Sequence, residues 1–282
     1  MSYSWFNKEP MMPELPQLQD ARLDLQERVA ELTFDRDDVR NALTGTALVE
    51  DILMTLAWCQ NTPAVSVLIL TGAGKAFSAG GNIKQMRDRS GLFSGSVLEI
   101  QEQYRRGIQR LPLAMEQIDI PVVAAINGAA IGAGLDLACM CDLRYAAEQA
   151  QLGETFLNLG IIPGDGGAWF LPRLIGPQRA AELIFSGRLL KADEARELGL
   201  LLEVWPAEEL LPRVHELARR IAAQPPQALR LSKRLLRAER SMELAEFLEL
   251  CAGYQGMAHH SDDHLEAVNA FLDKRPPHFT GR

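Results

Sequence analysis

Three acids stand beside glycine-rich turns, and each is of a type that moves protons. Asp136 lies in NGAAIGAGLDLACMCD (127–142), Glu154 in AQLGETF (150–156) and Asp165 in PGDGG (163–167). A carboxyl group held within reach of a reacting carbon can act as general acid or base. Two segments share a design of buried strand, small-residue turn and helix start: VLILTGAGKAFSAGGNIKQM (67–86) and PVVAAINGAAIGAGLDLACMCD (121–142). At such junctions the first helical N–H groups lack an intrahelical partner and the dipole favours negative charge. Two such ends converging on one point would make an oxyanion hole.

The elements that must position these groups alternate. Leu25–Phe34 reads as an opening strand, and Thr44 as the cap of a helix through Ile52 and Leu56. SVLIL and PVVAAI are short apolar runs of the buried-strand kind, and Leu143–Ala147 reads as another strand. Leu98–Ile118 has helical spacing. Strands and helices in alternation make the class α/β with much parallel pairing. After Trp205 the pattern is almost wholly helical, over Ala207–Ala223, Gln227–Ala238 and Met242–Leu272. In the second of these, Arg230, Lys233, Arg234 and Arg237 read as a solvated basic face.

Composition narrows the function classes. The 282 residues are 47% hydrophobic and 23% charged, with a formal net charge of −8. That charge argues against a nucleic-acid or anionic-membrane partner. No stretch has the ~18 uncharged apolar residues of a membrane span, and the N-terminus lacks the order of a secretory signal. Cys59, Cys139, Cys141 and Cys251 lack metal-ligand spacing and read as reduced thiols of a cytoplasmic protein. The five histidines lie at 215 and beyond, away from the glycine-rich turns, so a Ser-His-Asp triad fails on organisation. G-A-G-K at 72–75 is no phosphate-binding P-loop, and G132-A-G134 is no dinucleotide fingerprint.

FSAGGNIKQM, then NGAAIGAGLDLACMCDLRYA, then AQLGETFLNLGIIPGDGGAWFLPRLIG resemble the crotonase superfamily, the enoyl-CoA hydratase/isomerase group. The resemblance continues through SGRLLKADEARELGLLLEVWP, ALRLSKRLL and AVNAFLDKRPPHFTGR, and covers roughly residues 23–282. It implies a ClpP/crotonase-like spiral of repeated β–β–α units over 21–205; the prolines and mixed polarity of residues 1–20 suggest a loose leader before it. A C-terminal helical trimerisation region would follow over 206–282, giving a homotrimer or a dimer of trimers. The substrate would be an acyl-CoA thioester, with coenzyme A as part of the substrate and no permanently bound cofactor or metal.

Matched position by position, the resemblance makes Gly81 and Ala133 the N–H donors to the thioester oxygen. Ala79, Asn82 and Ile83, with the stretch around Arg40 and Ala42, would meet the coenzyme A adenine, and Lys274 its phosphates. Pro163, Gly164 and Phe156 would line the substrate site. Hydratases of the family carry two glutamates; the first position holds Asp136 here, and the second holds Phe156. The water-addition mechanism therefore does not carry over whole.

Asp136, three residues after Ala133, would share its helix face and flank the acyl α and β carbons as the proton-moving group. An apolar wall of Leu135, Leu137 and Phe156 would raise its proton affinity. If 150–156 is extended, Glu154 projects to the same side as Phe156. Some family members use an aspartate where this chain has Gly164, one residue before Asp165. The plain alternative for Asp165 is a cap on the helix that follows. The expected activity is hydration or double-bond isomerisation of an enoyl-CoA. The rivals are decarboxylation or other enolate chemistry, and acyl-CoA binding without turnover.

Overall fold

A computed structural model of the protein describes residues 13–282. The leader's residues 1–12 lie outside that range. Residues 13–20 are tied down rather than loose. Trp58 Nε1 donates to Glu14 O at 2.8 Å, and the Gln19 and Asp20 N–H groups donate to the Asp51 carboxylate at 2.7–3.2 Å.

Strands β1 (Ala21–Gln26) and β2 (Val29–Phe34) form an antiparallel hairpin where the sequence suggested one strand. Glu27 and Arg28 make its turn, both with positive φ (47° and 70°). Their residue types carry none of the Asn-Gly signature that announces such a turn. Helix α1 (Leu48–Asn61) follows. Its first N–H groups are served by Asp20 and Thr46, while Thr44, the expected cap, accepts from Asn82 N–H at 2.7 Å.

Three β–β–α units then succeed one another. The first is β3 (Val67–Gly72) and β4 (Ala76–Ser78), followed by α2 (Ile83–Arg87), α3 (Val97–Arg106) and α4 (Arg110–Gln117). The last two replace the single helix expected over Leu98–Ile118, which breaks at Gly107. The second unit is β5 (Val122–Ile126), β6 (Ala129–Ile131) and α5 (Ala133–Met140). The third is β7 (Leu143–Ala147) and β8 (Gln151–Gly153), with α6 (Gly167–Ile175) and α7 (Pro177–Ser186). Strand β9 (Leu189–Lys191), α8 (Ala192–Glu197) and β10 (Glu203–Trp205) close the spiral.

Each unit gives one strand to each of two sheets. Their orders are β1-β2-β3-β5-β7-β10 and β4-β6-β8-β9, parallel except at β1–β2 and β8–β9. The larger sheet is covered on both faces, which is why β3 is apolar without alternation. Leu68 and Leu70 face the spiral interior. Val67 and Ile69 face α9 (Ala207–Ala222), whose Leu210, Val214, Ala218 and Ala222 recur at helical spacing and are buried there. Although α9 lies in the expected C-terminal region, it packs as part of the core.

Helix α10 (Pro226–Ala238) crosses the base of the spiral, and its cations are not a solvated face. Arg230 donates to the Cys59, Gln60 and Val65 carbonyls, Lys233 to Ile120 O and Asp142, and Arg234 and Arg237 to Asp119. Helices α11 (Leu244–His259) and α12 (Asp262–Asp273) complete the chain. Leu244, Leu248, Leu265 and Phe271 on them are exposed, the last by 84%.

Candidate active site

Parallel pairing of β4 with β6, Ala76 opposite Ala129 and Ser78 opposite Ala130, sets the two glycine-rich turns side by side. The approach is backbone to backbone. A Cβ on Gly80 would stand 2.4 Å from Ile131 O and 2.9 Å from Ala133 N, and one on Gly134 would stand 2.1 Å from Ser78 O. Only glycine permits that spacing. The Asn41 amide, fully buried, braces the outer turn by donating to the Ala73 and Ala76 carbonyls at 3.0 and 2.8 Å. Ser78 Oγ donates to Asn41 O at 2.7 Å.

Gly81 and Ala133 line one cavity. Among the described residues neither N–H donates a hydrogen bond. Ala133 opens α5, so its N–H also carries the positive end of that helix. The cavity is otherwise largely apolar, with Phe156, Tyr104 and Ile108 among its walls. An outer recess shares Ile83, Met86, Phe93, Tyr104 and Leu159 with it, which continues the apolar surface outward.

Asp165 is the acid on the cavity wall. It is not the cap of α6: Gly166 holds that position, and no side chain caps it. Burial, and behind it the charge of Asp136, push the Asp165 carboxyl up to about 7.

Asp136, expected to flank the acyl group, lies behind that wall and is 0% exposed. Its helix starts at Ala133 as expected, but its carboxyl turns toward Glu154. A Cβ on Gly167 would fall 2.1 Å from Asp136 Oδ1 and 2.6 Å from Glu154 Oε1, so the two carboxyl groups converge on one point under the start of α6. None of their four oxygens accepts a hydrogen bond from a described donor. Burial drives both upward in proton affinity. For Asp136 the Glu154 charge and contact add to that, while the nearby Gly167 N–H works the other way.

Glu154 reaches this place by a different path from the one expected. Strand β8 ends at Gly153, and Phe156 begins a 3-10 turn over Phe156–Leu159. Glu154 and Phe156 therefore do not share one strand face. The Phe156 ring covers Gly132, its carbons 3.5–3.8 Å from where a Cβ would stand. It occupies the cavity wall where the resemblance would put a second glutamate.

The remaining expected residues divide. Ala79 and Ile83 line the cavity. Asn82 is the N-cap of α2, its side chain accepting from the Lys84 and Gln85 N–H groups. Arg40 is exposed and left-handed (φ 54°), and its carbonyl accepts from Ala79 N–H at 2.9 Å. Ala42 is buried beside it. Pro163 and Gly164 lead into Asp165, and Gln109 Nε2 holds Gly164 O at 2.9 Å. Lys274 ends α12, exposed, and no residue of α10–α12 borders the cavity. The pairing of Asp136 with Glu154 and the placing of Tyr104 escaped the sequence. Both depend on where α3 and α6 pack.

Two largely parallel sheets wound as β–β–α units define a crotonase-type fold, and Gly81, Ala133 and Asp165 line one largely apolar cavity within it. The family model described as enoyl-CoA hydratase/isomerase matches residues 24–282. An enoyl-CoA isomerase/hydratase of Mycosarcoma maydis is 39% identical over 264 residues, spanning 90% of this chain and 93% of its own. A crotonyl-CoA hydratase of Syntrophomonas wolfei is 36% identical over 261 residues, 92% of this chain and 97% of its own. The crystal structure of an enoyl-CoA hydratase from Bacillus anthracis superposes with a TM-score of 0.85 at 37% identity, covering 94% of this chain and 100% of that one. The chain belongs to the enoyl-CoA hydratase/isomerase family of the crotonase superfamily.

Proposed function

We propose that this protein binds an acyl-CoA thioester and moves a proton on its enolate, with 3-enoyl to 2-enoyl isomerisation as the reaction the site supports best. The observation that carries this is the single acid, Asp165, on a cavity wall that Gly81 and Ala133, with their free N–H groups, also line. The two N–H groups hold the thioester oxygen as it gains charge; removing one such donor typically costs ~3–4 kcal/mol in barrier. Asp165 takes a proton from the α carbon and returns it at the γ carbon, and one group near neutral proton affinity can do both. Phe156 keeps water from that side.

Hydration is the second reading, supported by the relatives that bear that activity in their names. It needs a group to activate water as well as one to protonate the α carbon, and Phe156 removes the family's usual candidate. Coenzyme A enters as part of the substrate. The exposed apolar residues of α11 and α12 support a homotrimer or a dimer of trimers. Four free thiols fit a reducing, cytoplasmic setting. Among the described residues no helix is long and apolar enough to cross a membrane.

The test incubates 3-butenoyl-CoA, crotonyl-CoA and butanoyl-CoA with the protein in heavy water and reads products by mass spectrometry. The expected result is 3-butenoyl to 2-butenoyl conversion with deuterium uptake and little 3-hydroxy product. Bound acyl-CoA with neither exchange nor turnover would overturn the reading.

A further inference from the structure

We propose that Asp136 and Glu154 form one proton-sharing carboxyl pair that tunes Asp165 from behind the cavity wall, as positioning residues that do not touch substrate. This deepens the reading of Asp165 as the acid that meets the acyl group, and rests on it.

The geometry comes first. Both carboxyls are buried, at 0% and 2% exposure, and their oxygens converge where a Gly167 Cβ would stand, with the Gly167 N–H beside Asp136 and no side-chain donor from a described residue to either. Two carboxylates brought together out of water cannot both stay charged, so one proton is held between them. The pair then carries a single negative charge, and its protons come off as a unit. That charge lies under Gly167, two residues after Asp165.

No cation donates to either carboxyl among the described residues. The other titratable or charged groups facing this region are Cys139 one turn along α5, Arg144 on β7 and Tyr104 on α3. Burial keeps the Cys139 thiol neutral. Arg144 is committed to the Leu200 and Cys141 carbonyls. Tyr104, also pushed upward by burial, stays a neutral phenol. The exposed Arg173 is the charged residue of α6, and it donates to Trp169 O.

In the reaction, the Asp165 carboxylate takes the proton from the α carbon and the electron pair moves to the thioester oxygen at Gly81 and Ala133. The pair neither gains nor loses a proton in that step. Its charge raises the affinity with which Asp165 holds the proton until the γ carbon takes it.

Infrared spectroscopy of the ligand-free protein at pH 8, in water and heavy water, tests the pair without any reaction. The wild-type chain should show one buried protonated carboxyl, kept in Asp165→Asn and lost in Asp136→Asn/Glu154→Gln. Its absence from the wild type would overturn the proposal.

The second readout is the pH profile of α-proton exchange on butanoyl-CoA. In Asp136→Asn an amide N–H replaces the shared proton and the charge stays on Glu154. That variant should keep its exchange rate within about tenfold and the profile midpoint within about 0.3 unit. The double variant loses the charge, and its midpoint should fall by about one unit. A loss of 100-fold or more in Asp136→Asn would put Asp136 on the substrate and sink the idea, as would an unmoved midpoint in a folded double variant. Should the double variant not fold, the wild-type infrared band and the Asp136→Asn rate decide. Should the wild type exchange no proton from any acyl-CoA, the functional reading fails and the infrared result still judges the pair.

Discussion

Among the described residues six acids are buried, and they fall into two groups of three. Asp51, Asp119 and Asp263 are saturated with donors. Asp51 accepts from the Gln19 and Asp20 N–H groups, Asp119 from Arg234, Arg237 and Gln60, and Asp263 from the Thr280 and Gly281 N–H groups at 2.7 and 2.9 Å. Each fastens a distant stretch of chain: the N-terminal segment, α10 and the C-terminal tail. Among the described residues Asp136 and Glu154 have no such side-chain donors and lie behind a cavity whose wall carries Asp165. Burial acts on both groups alike. At Asp119 it opposes the charged form, yet the Arg234 and Gln60 hydrogen bonds hold the carboxyl below its ordinary range. At Asp165 nothing opposes burial, and the carboxyl rises to about 7. Asp119, held by its donors, is kept charged; the acids without such partners are left able to carry a proton.

The comparison can be broken in four ways, the largest effect first. Asp165→Asn should lower isomerisation of 3-butenoyl-CoA by about 10³-fold while acyl-CoA affinity stays within about tenfold. A variant with near-normal kcat would remove Asp165 from the reaction. Next, Asp119→Ala should cost about 2 kcal/mol in urea melts, because it removes the acceptor shared by Arg234, Arg237 and Gln60. Asp136→Asn should change stability by less than about 1 kcal/mol. Equal losses at the two sites would erase the distinction between clamping and unpartnered acids.

The third effect depends on pH. Asp165 binds its proton more tightly folded, at about 7, than an unfolded aspartate at about 3.9. Its contribution to stability is therefore full below about pH 4 and lost as pH rises through about 7. Asp165→Asn should be more stable than wild type by a few kcal/mol at pH 8, and show no gain at pH 4. A gain that is independent of pH would mean the carboxyl does not titrate there. The smallest effect is chemical. Phe156→Glu adds a second acid to the cavity wall and should raise hydration of crotonyl-CoA by about tenfold. A folded variant with no gain would assign Phe156 to shaping the pocket alone.

Much of this was legible in the residues. The apolar runs at β3, β5 and β7 and the small-residue turns after them needed only strand and turn chemistry to be seen. So did the stripe of α9, because a buried face leaves a period in the sequence. The hairpin at Glu27 and Arg28 was not legible, since left-handed turns there rely on residues with no glycine or asparagine to mark them. The basic stripe of α10 looked solvated because sequence shows the spacing of cations and not the carbonyls beneath them.

The acids show the same division most sharply. Sequence determined that Asp136, Glu154 and Asp165 lie beside the turns of a crotonase-type spiral, and that Phe156 stands where a glutamate would serve. Only the tertiary structure decided which acid meets the cavity. Helix α6 packs on α5 at Gly167. That contact folds Asp136 against Glu154, out of reach of the cavity, and leaves Asp165 on its wall. A carboxyl group's role follows from its donors, its neighbours and its access to the ligand, and these come from segments far apart in the chain.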